Sequence, residues 1–157
     1  MSADSQSPVF HILLVEDNDA DVYLLRKALQ RAGLNCHLTV LTNGEEALHF
    51  LGDPERYRQS GLPQLAVIDL NLPRESGADV LAALRLNREL ARTPVAVMTS
   101  SLSPHAKARV EELGVDRFLT KPLELAKFLE IGVILKEMLE EALPVAPHSQ
   151  TKQSSAA

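Results

Sequence analysis

The sequence of 157 residues predicts an α/β fold, in which five parallel strands form one doubly wound sheet. Short apolar runs alternate with segments whose apolar residues recur at helical spacing. The clearest run, Leu65–Asp69, lies between two prolines and is apolar up to its final aspartate, as in a strand buried on both faces. We therefore expect one βα-repeating domain over residues 9–143, with disordered segments at 1–8 and 144–157.

Two helices and a loop separate the first three predicted strands. The ranges are, in order, a strand at 10–16, a helix at 19–32, a strand at 36–41, a helix at 43–51, a loop at 52–64 and a strand at 65–69. Gly33 ends the first helix, since glycine takes the left-handed conformation common after a helix. Asn43 is a good N-cap for the second. The loop is predicted because the segment is polar and contains two prolines and two glycines.

Three helices and two strands are predicted for the second half. A capping box at Ser76 and Asp79 starts the third helix, and Ser103 followed by Pro104 starts the fourth. The other predicted ranges are strands at 94–99 and 117–120 and a last helix at 123–142.

The composition limits the function classes that we consider. The formal net charge of −5 argues against a nucleic-acid-binding surface, which is normally basic. No apolar run approaches the roughly 18 residues that a membrane span needs, and the amino terminus lacks the pattern of a signal peptide. One cysteine, Cys36, excludes an internal disulfide and fits a reducing compartment. We expect a cytoplasmic protein without nucleic-acid or membrane partners.

Charged and hydroxyl side chains follow four of the predicted strands. They are Glu16 and Asp17, Asp69, Thr99 and Lys121. Because parallel strands end at one edge of a sheet, these groups should converge there. Glu16 and Asp17 would hold Mg²⁺ or Mn²⁺, and Asp69 would be the nucleophile of a phosphoryl transfer. Lys121 and Thr99 would contact the phosphoryl oxygens.

Each of these residues has a simpler interpretation when it is taken alone. An aspartate at a strand end, such as Asp69, often only caps a turn. Lys121 by itself would be a solvated lysine, and Thr99 would bond the nearby backbone. The combination at four strand ends favours the phosphoryl-transfer interpretation.

Five segments in order resemble the receiver domain of two-component response regulators. They are LLVEDN at 13–18, NGEEAL at 43–48, DLNLP at 69–73, MTS at 98–100 and GVDRFLTKP at 114–122. The match covers residues 10–142. It implies a flavodoxin-like fold with strand order 2-1-3-4-5.

The resemblance also implies roles for individual residues. Asp69 would accept a phosphoryl group from a sensor histidine kinase. Asp17, Asp69 and the backbone carbonyl of Asn71 would bind Mg²⁺, with Glu16 acting through water.

Thr99 and Phe118 match the two switch positions of the family. Phe118 replaces the tyrosine of many members, so a switch that depends on a phenolic hydroxyl does not apply. The Lys121–Pro122 peptide is usually cis in the family. The long segment at 52–64 and the EDNDAD stretch at 16–21 resemble single-domain regulators paired with cyanobacterial and bacterial phytochromes.

Two other functions remain open at this point. One is a Mg²⁺-dependent phosphohydrolase that also forms an aspartyl phosphate, which would need an acid two residues after Asp69. That position is Asn71, which cannot serve as a general acid. The other is a receiver-shaped binding module that does not use phosphate, which the intact Asp69, Thr99 and Lys121 disfavour. We expect a signalling phosphoacceptor that does not turn over an external metabolite.

The last predicted helix, the fifth, carries more apolar residues than a core-facing stripe needs. The stripe consists of Phe128, Ile131, Gly132, Leu135, Met138 and Leu139. Leu129, Val133 and Ile134 fall outside it, and such a patch often marks an interface. We therefore expect a homodimer through this helix, with docking of a kinase or target as the rival interpretation.

Overall fold

A computed structural model describes residues 8–100 and 103–142. The strands are β1 (Phe10–Val15), β2 (Cys36–Leu41), β3 (Leu65–Asp69), β4 (Val95–Thr99) and β5 (Arg117–Thr120). All neighbouring strands are parallel, and their order is β2-β1-β3-β4-β5. The predicted sheet and strand order are therefore confirmed. The predicted disordered ends lie outside the described residues, except for Pro8.

Six helices connect or follow the strands. They are α1 (Asp19–Arg31), α2 (Gly44–Leu51), α3 (Pro54–Ser60), α4 (Gly77–Leu86), α5 (Pro104–Leu113) and α6 (Leu125–Ala142). The predicted caps of α2, α4 and α5 are confirmed, because Asn43, Ser76 and Ser103 each accept a hydrogen bond from a backbone N–H of the first turn. The last helix begins at Leu125, two residues later than predicted.

Helices cover both faces of the sheet and create two apolar cores. Every residue of β3 and β4 is buried, as expected for central parallel strands. One core contains side chains of α1 and α6, and the other contains side chains of α2, α3, α4 and α5. Because helices cover both faces, a ligand can approach the sheet at the edge where the strands have their carboxyl ends.

The predicted loop at 52–64 is wrong in part, because α3 forms inside it. Asp53 accepts a hydrogen bond from the N–H of Arg56, and Pro54 occupies the first turn, where proline is tolerated. Tyr57 is buried against Phe50, with ring centroids 6.1 Å apart. One buried aromatic in seven residues does not produce a periodicity that sequence analysis detects.

The core-facing stripe of α6 is confirmed, since all six of its predicted residues are buried. Gly132 lies so close to α1 that a Cβ there would be 2.1 Å from the carbonyl oxygen of Ala28. On the other side Val133 is 49% exposed, whereas Leu129 and Ile134 are half-buried. Within residues 8–100 and 103–142, no helix is long and apolar enough to cross a membrane.

Candidate functional site

The predicted site residues gather where β1, β3, β4 and β5 end. Glu16 and Asp17 follow β1, Asp69 and Thr99 end β3 and β4, and Lys121 follows β5. One carboxylate oxygen from each of Glu16, Asp17 and Asp69 lies within 4.8 Å of the others. Glu16, Asp69 and Thr99 are buried, whereas Asp17 is exposed. The parallel sheet thus concentrates acidic groups at one partly shielded point.

The ammonium group of Lys121 lies among three carboxylates. Its Nζ is 2.8 Å from an oxygen of each of Glu16, Asp21 and Asp69. Asp21, in the first turn of α1, is not among the residues predicted for the site. No pattern in the sequence distinguishes Asp21 from Asp19, the other acid in that turn, because the contact with Lys121 joins residues 100 positions apart.

Burial and these ion pairs shift two pKa values. The pKa of Glu16 is raised from 4.5 to about 7, chiefly by burial and also by the charge of Asp69, which together outweigh the lowering by hydrogen bonds from Lys121 and the N–H of Asn18. Burial lowers the pKa of Lys121, but hydrogen bonds to Asp21, Asp69 and Glu16 outweigh burial and raise it. Lys121 is therefore an ammonium ion at neutral pH.

The carboxylate cluster suits a divalent cation. Mg²⁺ and Mn²⁺ prefer hard oxygen ligands, and the cluster of Glu16, Asp17 and Asp69 offers three carboxylates. Like charges this close repel one another, and Lys121 offsets the repulsion only in part. The residues present therefore fit such an ion. Coordination by the backbone carbonyl of Asn71 stays a prediction.

Asn71 connects the acidic cluster to β4. Its backbone N–H donates to Asp69 Oδ1 at 2.9 Å, and its side-chain Nδ2 donates to Thr99 Oγ1 at 2.8 Å. The amide at this position thus holds a neighbouring hydroxyl and offers no acidic proton. This geometry does not favour the phosphohydrolase alternative, which needs a general acid there.

Two further features border the site. Gly77 starts α4 so close to the site loop that a Cβ would lie 2.3 Å from the carbonyl oxygen of Asp69. Phe118 lies lower on β5, opposite Val97, where it is half-buried and its ring centroid is 5.6 Å from Lys107 Nζ. The Lys121–Pro122 peptide is trans, contrary to the expectation from the resemblance; trans is the lower-energy isomer for most bonds before proline.

Comparison with known proteins identifies the family. A family model described as the response regulator receiver domain matches residues 12–131. Response regulator Rcp1 of Synechocystis sp. is 37% identical over 123 residues, which cover 78% of this chain and 84% of Rcp1. The crystal structure of the phosphorylated cyanobacterial phytochrome response regulator RcpA has a TM-score of 0.78 at 29% identity and covers 87% of this chain and 98% of RcpA. The Mn²⁺-bound form of Rcp1 has a TM-score of 0.75 at 33% identity and covers 87% of this chain and 99% of that structure.

The matched region includes β2 to β5 in full, β1 from Ile12 onward and every strand-end residue described above. The acidic cluster and the lysine occupy the edge of the sheet where open α/β proteins bind ligands. The chain therefore belongs to the response regulator receiver domain family of two-component signalling proteins.

Proposed function

We propose that the chain is a single-domain response regulator in which Asp69 accepts a phosphoryl group from a sensor histidine kinase in a Mg²⁺-dependent reaction. The observation that carries the proposal is the position of the Asp69 carboxylate. It ends a central strand, is 4% exposed and lies 2.8 Å from the ammonium of Lys121. Such a carboxylate can act as a nucleophile while adjacent positive charge receives the incoming phosphoryl oxygens.

The proposed transfer uses the residues as follows. An oxygen of Asp69 forms a bond to phosphorus, the bond from phosphorus to the donor breaks, and the electron pair leaves with the donor. Lys121 donates hydrogen bonds to the phosphoryl oxygens. Bound Mg²⁺, or Mn²⁺ in its place, supplies further positive charge there. We assign Glu16, Asp17, Asp69 and the backbone carbonyl of Asn71 to the metal, with Glu16 acting through water.

Incubation with acetyl phosphate and Mg²⁺ tests the proposal. We expect intact-mass analysis to detect one acid-labile phosphoryl group on the wild type and none on Asp69→Asn. Asp53→Asn is the matched control, because Asp53 caps α3 rather than lining the site, and it should be labelled like the wild type. Equal labelling of the wild type and Asp69→Asn would refute the assignment.

We infer that the kinase is of the phytochrome type and that the protein acts in the cytoplasm. The similarity to Rcp1 and to the phytochrome response regulator RcpA supports the first inference. The free thiol of Cys36 fits the reducing compartment that the second requires. Purified phytochrome-type kinase, autophosphorylated and mixed with the protein, should transfer its label to wild type and not to Asp69→Asn. A kinase without a photosensory region that transfers much faster would contradict the first inference.

We propose signalling rather than metabolic turnover, with self-dephosphorylation as the only hydrolysis. Asn71 supports this, because its amide is bonded to Thr99 and cannot protonate a leaving group. The net charge of −5 makes binding to nucleic acid unfavourable. We therefore expect that another protein binds the phosphorylated form and passes the signal on. A phosphohydrolase would release phosphate from acetyl phosphate many times per protein molecule at a sustained high rate, and a colorimetric phosphate assay would detect this.

We propose that Thr99 and Phe118 are the switch residues. The Thr99 hydroxyl now accepts a hydrogen bond from Asn71, and after phosphorylation it would donate one to a phosphoryl oxygen instead. Phe118 is half-buried and next to the apolar core, so an inward movement would bury more of its ring. The response would thus be a shift between two packings of the same fold.

We also propose that the protein forms a homodimer through α6. The groove between α1 and α6 is apolar, and its exposed residues include Tyr23 and Leu125, each 58% exposed, and Val133. Lys27 lines the groove on the α1 side and Glu130 lines it on the α6 side. In a two-fold dimer, the basic side of one copy would meet the acidic side of the other.

Sedimentation velocity at micromolar concentration tests the dimer. We expect a dimer for the wild type and a monomer for Val133→Glu combined with Leu125→Lys. Leu86→Glu is the matched control, because Leu86 is 85% exposed and lies on α4, and it should leave the dimer intact. A wild type that stays monomeric with and without acetyl phosphate would leave the groove to a kinase or target.

A further inference from the structure

The three carboxylates around Lys121 differ in what the reaction does to them. An ammonium group has three N–H donors, and Glu16, Asp21 and Asp69 provide one acceptor oxygen for each, at 2.8 Å. Asp69 becomes an acyl phosphate in the proposed reaction, and Glu16 belongs to the cluster that suits a metal ion. Asp21 is outside that cluster and is not the phosphoacceptor, so the proposed reaction gives it no partner other than Lys121.

The backbone of Asp21 is held in a fixed position. Asn18 is the N-cap of α1, and its side chain accepts hydrogen bonds from the N–H groups of Ala20 and Asp21. A negative charge in the first turn of a helix is also favourable, because the unpaired N–H groups there are partly positive. The Asp21 side chain is only 21% exposed, so water screens its ion pair with Lys121 only in part. Asp21 is thus a well-placed anchor for Lys121.

We propose that Asp21 is a positioning residue for phosphoryl transfer, which holds the Lys121 ammonium beside Asp69 when Glu16 and Asp69 engage other groups. The inference rests on the proposed function of Asp69. With acetyl phosphate as donor, an Asp69 oxygen forms a bond to phosphorus, and the bond between phosphorus and the acetyl oxygen breaks. The electron pair leaves with acetate, and no proton is transferred. Lys121 must stay close to the phosphoryl oxygens during this step.

Without Asp21, Lys121 would keep its charge but lose its fixed position. Displacement of a catalytic group by about 1 Å can reduce a rate by about a hundredfold. We expect Asp21→Asn to lower the maximal phosphorylation rate by about tenfold. The acetyl phosphate concentration at half-maximal rate should change little or fall, since the variant removes a negative charge that repels the donor.

Asp19→Asn provides the matched control. Asp19 is in the same first turn of α1 and carries the same charge, but its side chain is exposed. Its substitution removes the same charge from the same end of the helix. We expect its maximal rate to stay within about twofold of the wild type, since exposed charges away from a site have small effects.

A second measurement does not depend on phosphorylation. In protein with ¹⁵N-labelled lysine and EDTA, a fully hydrogen-bonded ammonium exchanges slowly with water and gives an observable Nζ–H signal. The Lys121 signal, assigned with Lys121→Arg, should be present in wild type and Asp19→Asn and lost in Asp21→Asn. Thermal unfolding of each variant checks that the fold is retained.

The two proposals fail in different ways. If acetyl phosphate labels the wild type at Asp69 but Asp21→Asn reaches the maximal rate of Asp19→Asn, the positioning role is wrong. If the Lys121 signal persists in Asp21→Asn, Asp21 does not hold the Lys121 ammonium in place. If the wild type is not labelled at Asp69, the proposed function fails, whatever the Lys121 signal shows.

Discussion

The buried carboxyl group of Glu16 should make the stability of the metal-free protein depend on pH. Its pKa is raised from 4.5 to about 7, chiefly by burial. Between these two values the unfolded chain releases the proton while the folded protein keeps it, so the free energy of unfolding decreases as pH rises. At about 1.4 kcal/mol per pKa unit, the whole shift from 4.5 to about 7 costs on the order of 3 kcal/mol above pH 7.

Glu16→Gln removes this titration and keeps the shape of the protonated side chain. Well below pH 4.5 the side chain of Glu16 is neutral in both states, so the stability difference between variant and wild type has its baseline value there. Through the interval up to pH 7 the difference should grow in favour of the variant. By pH 8 we expect a gain of about 3 kcal/mol over that baseline.

Urea unfolding at pH 5, 6, 7 and 8 in the presence of EDTA measures the effect. Glu140→Gln, an exposed substitution on α6, is the control and should follow the wild type at each pH. Saturating Mg²⁺ at pH 8 should reduce the advantage of Glu16→Gln, because the wild type gains more from the ion. A stability difference that stays constant from pH 5 to 8 would refute the reasoning.

Three further predictions concern the metal, the switch and the packing of α6. Asp17→Asn should raise the metal-free melting temperature by relieving repulsion and should weaken the stabilisation by millimolar Mg²⁺; unchanged stabilisation would exclude Asp17 as a ligand. Thr99→Ala should accept phosphate without the wild-type change in the amide NMR shifts of residues 103–118, and a full change would refute the coupling. Gly132→Ala should cost about 1–3 kcal/mol in urea unfolding, because its Cβ would be 2.1 Å from the carbonyl oxygen of Ala28. Gly52→Ala, whose Cβ would be 3.4 Å from its nearest neighbour, is the control and should be neutral or slightly stabilising.

Sequence alone predicted the sheet and the strand-end residues because their signals are local. An apolar run such as Leu65–Asp69 and caps such as Asn43 and Ser103 need only a few neighbouring residues to be recognised. Helix α3 was not predicted because Tyr57 is its single buried side chain, and no second apolar residue follows at helical spacing. Asp21 was not predicted as a site residue because its partner Lys121 is 100 residues away. Spacing along α1 does not reveal which of its acidic side chains contacts Lys121.

The same sequence separation has a consequence during protein synthesis. Lys121 is translated 100 residues after Asp21 and 52 residues after Asp69, so the acids leave the ribosome before their counter-charge exists. At roughly 5–20 residues per second, translation of the intervening 100 residues takes on the order of 5–20 s. A chain that ends at Gly114 lacks Lys121, and we expect acetyl phosphate to label it much more slowly than the wild type. Labelling at the wild-type rate would show that phosphorylation does not need the residues translated later. We expect a growing or aborted chain without β5 not to be phosphorylated at Asp69. Only a protein with a completed sheet would then accept the phosphoryl group.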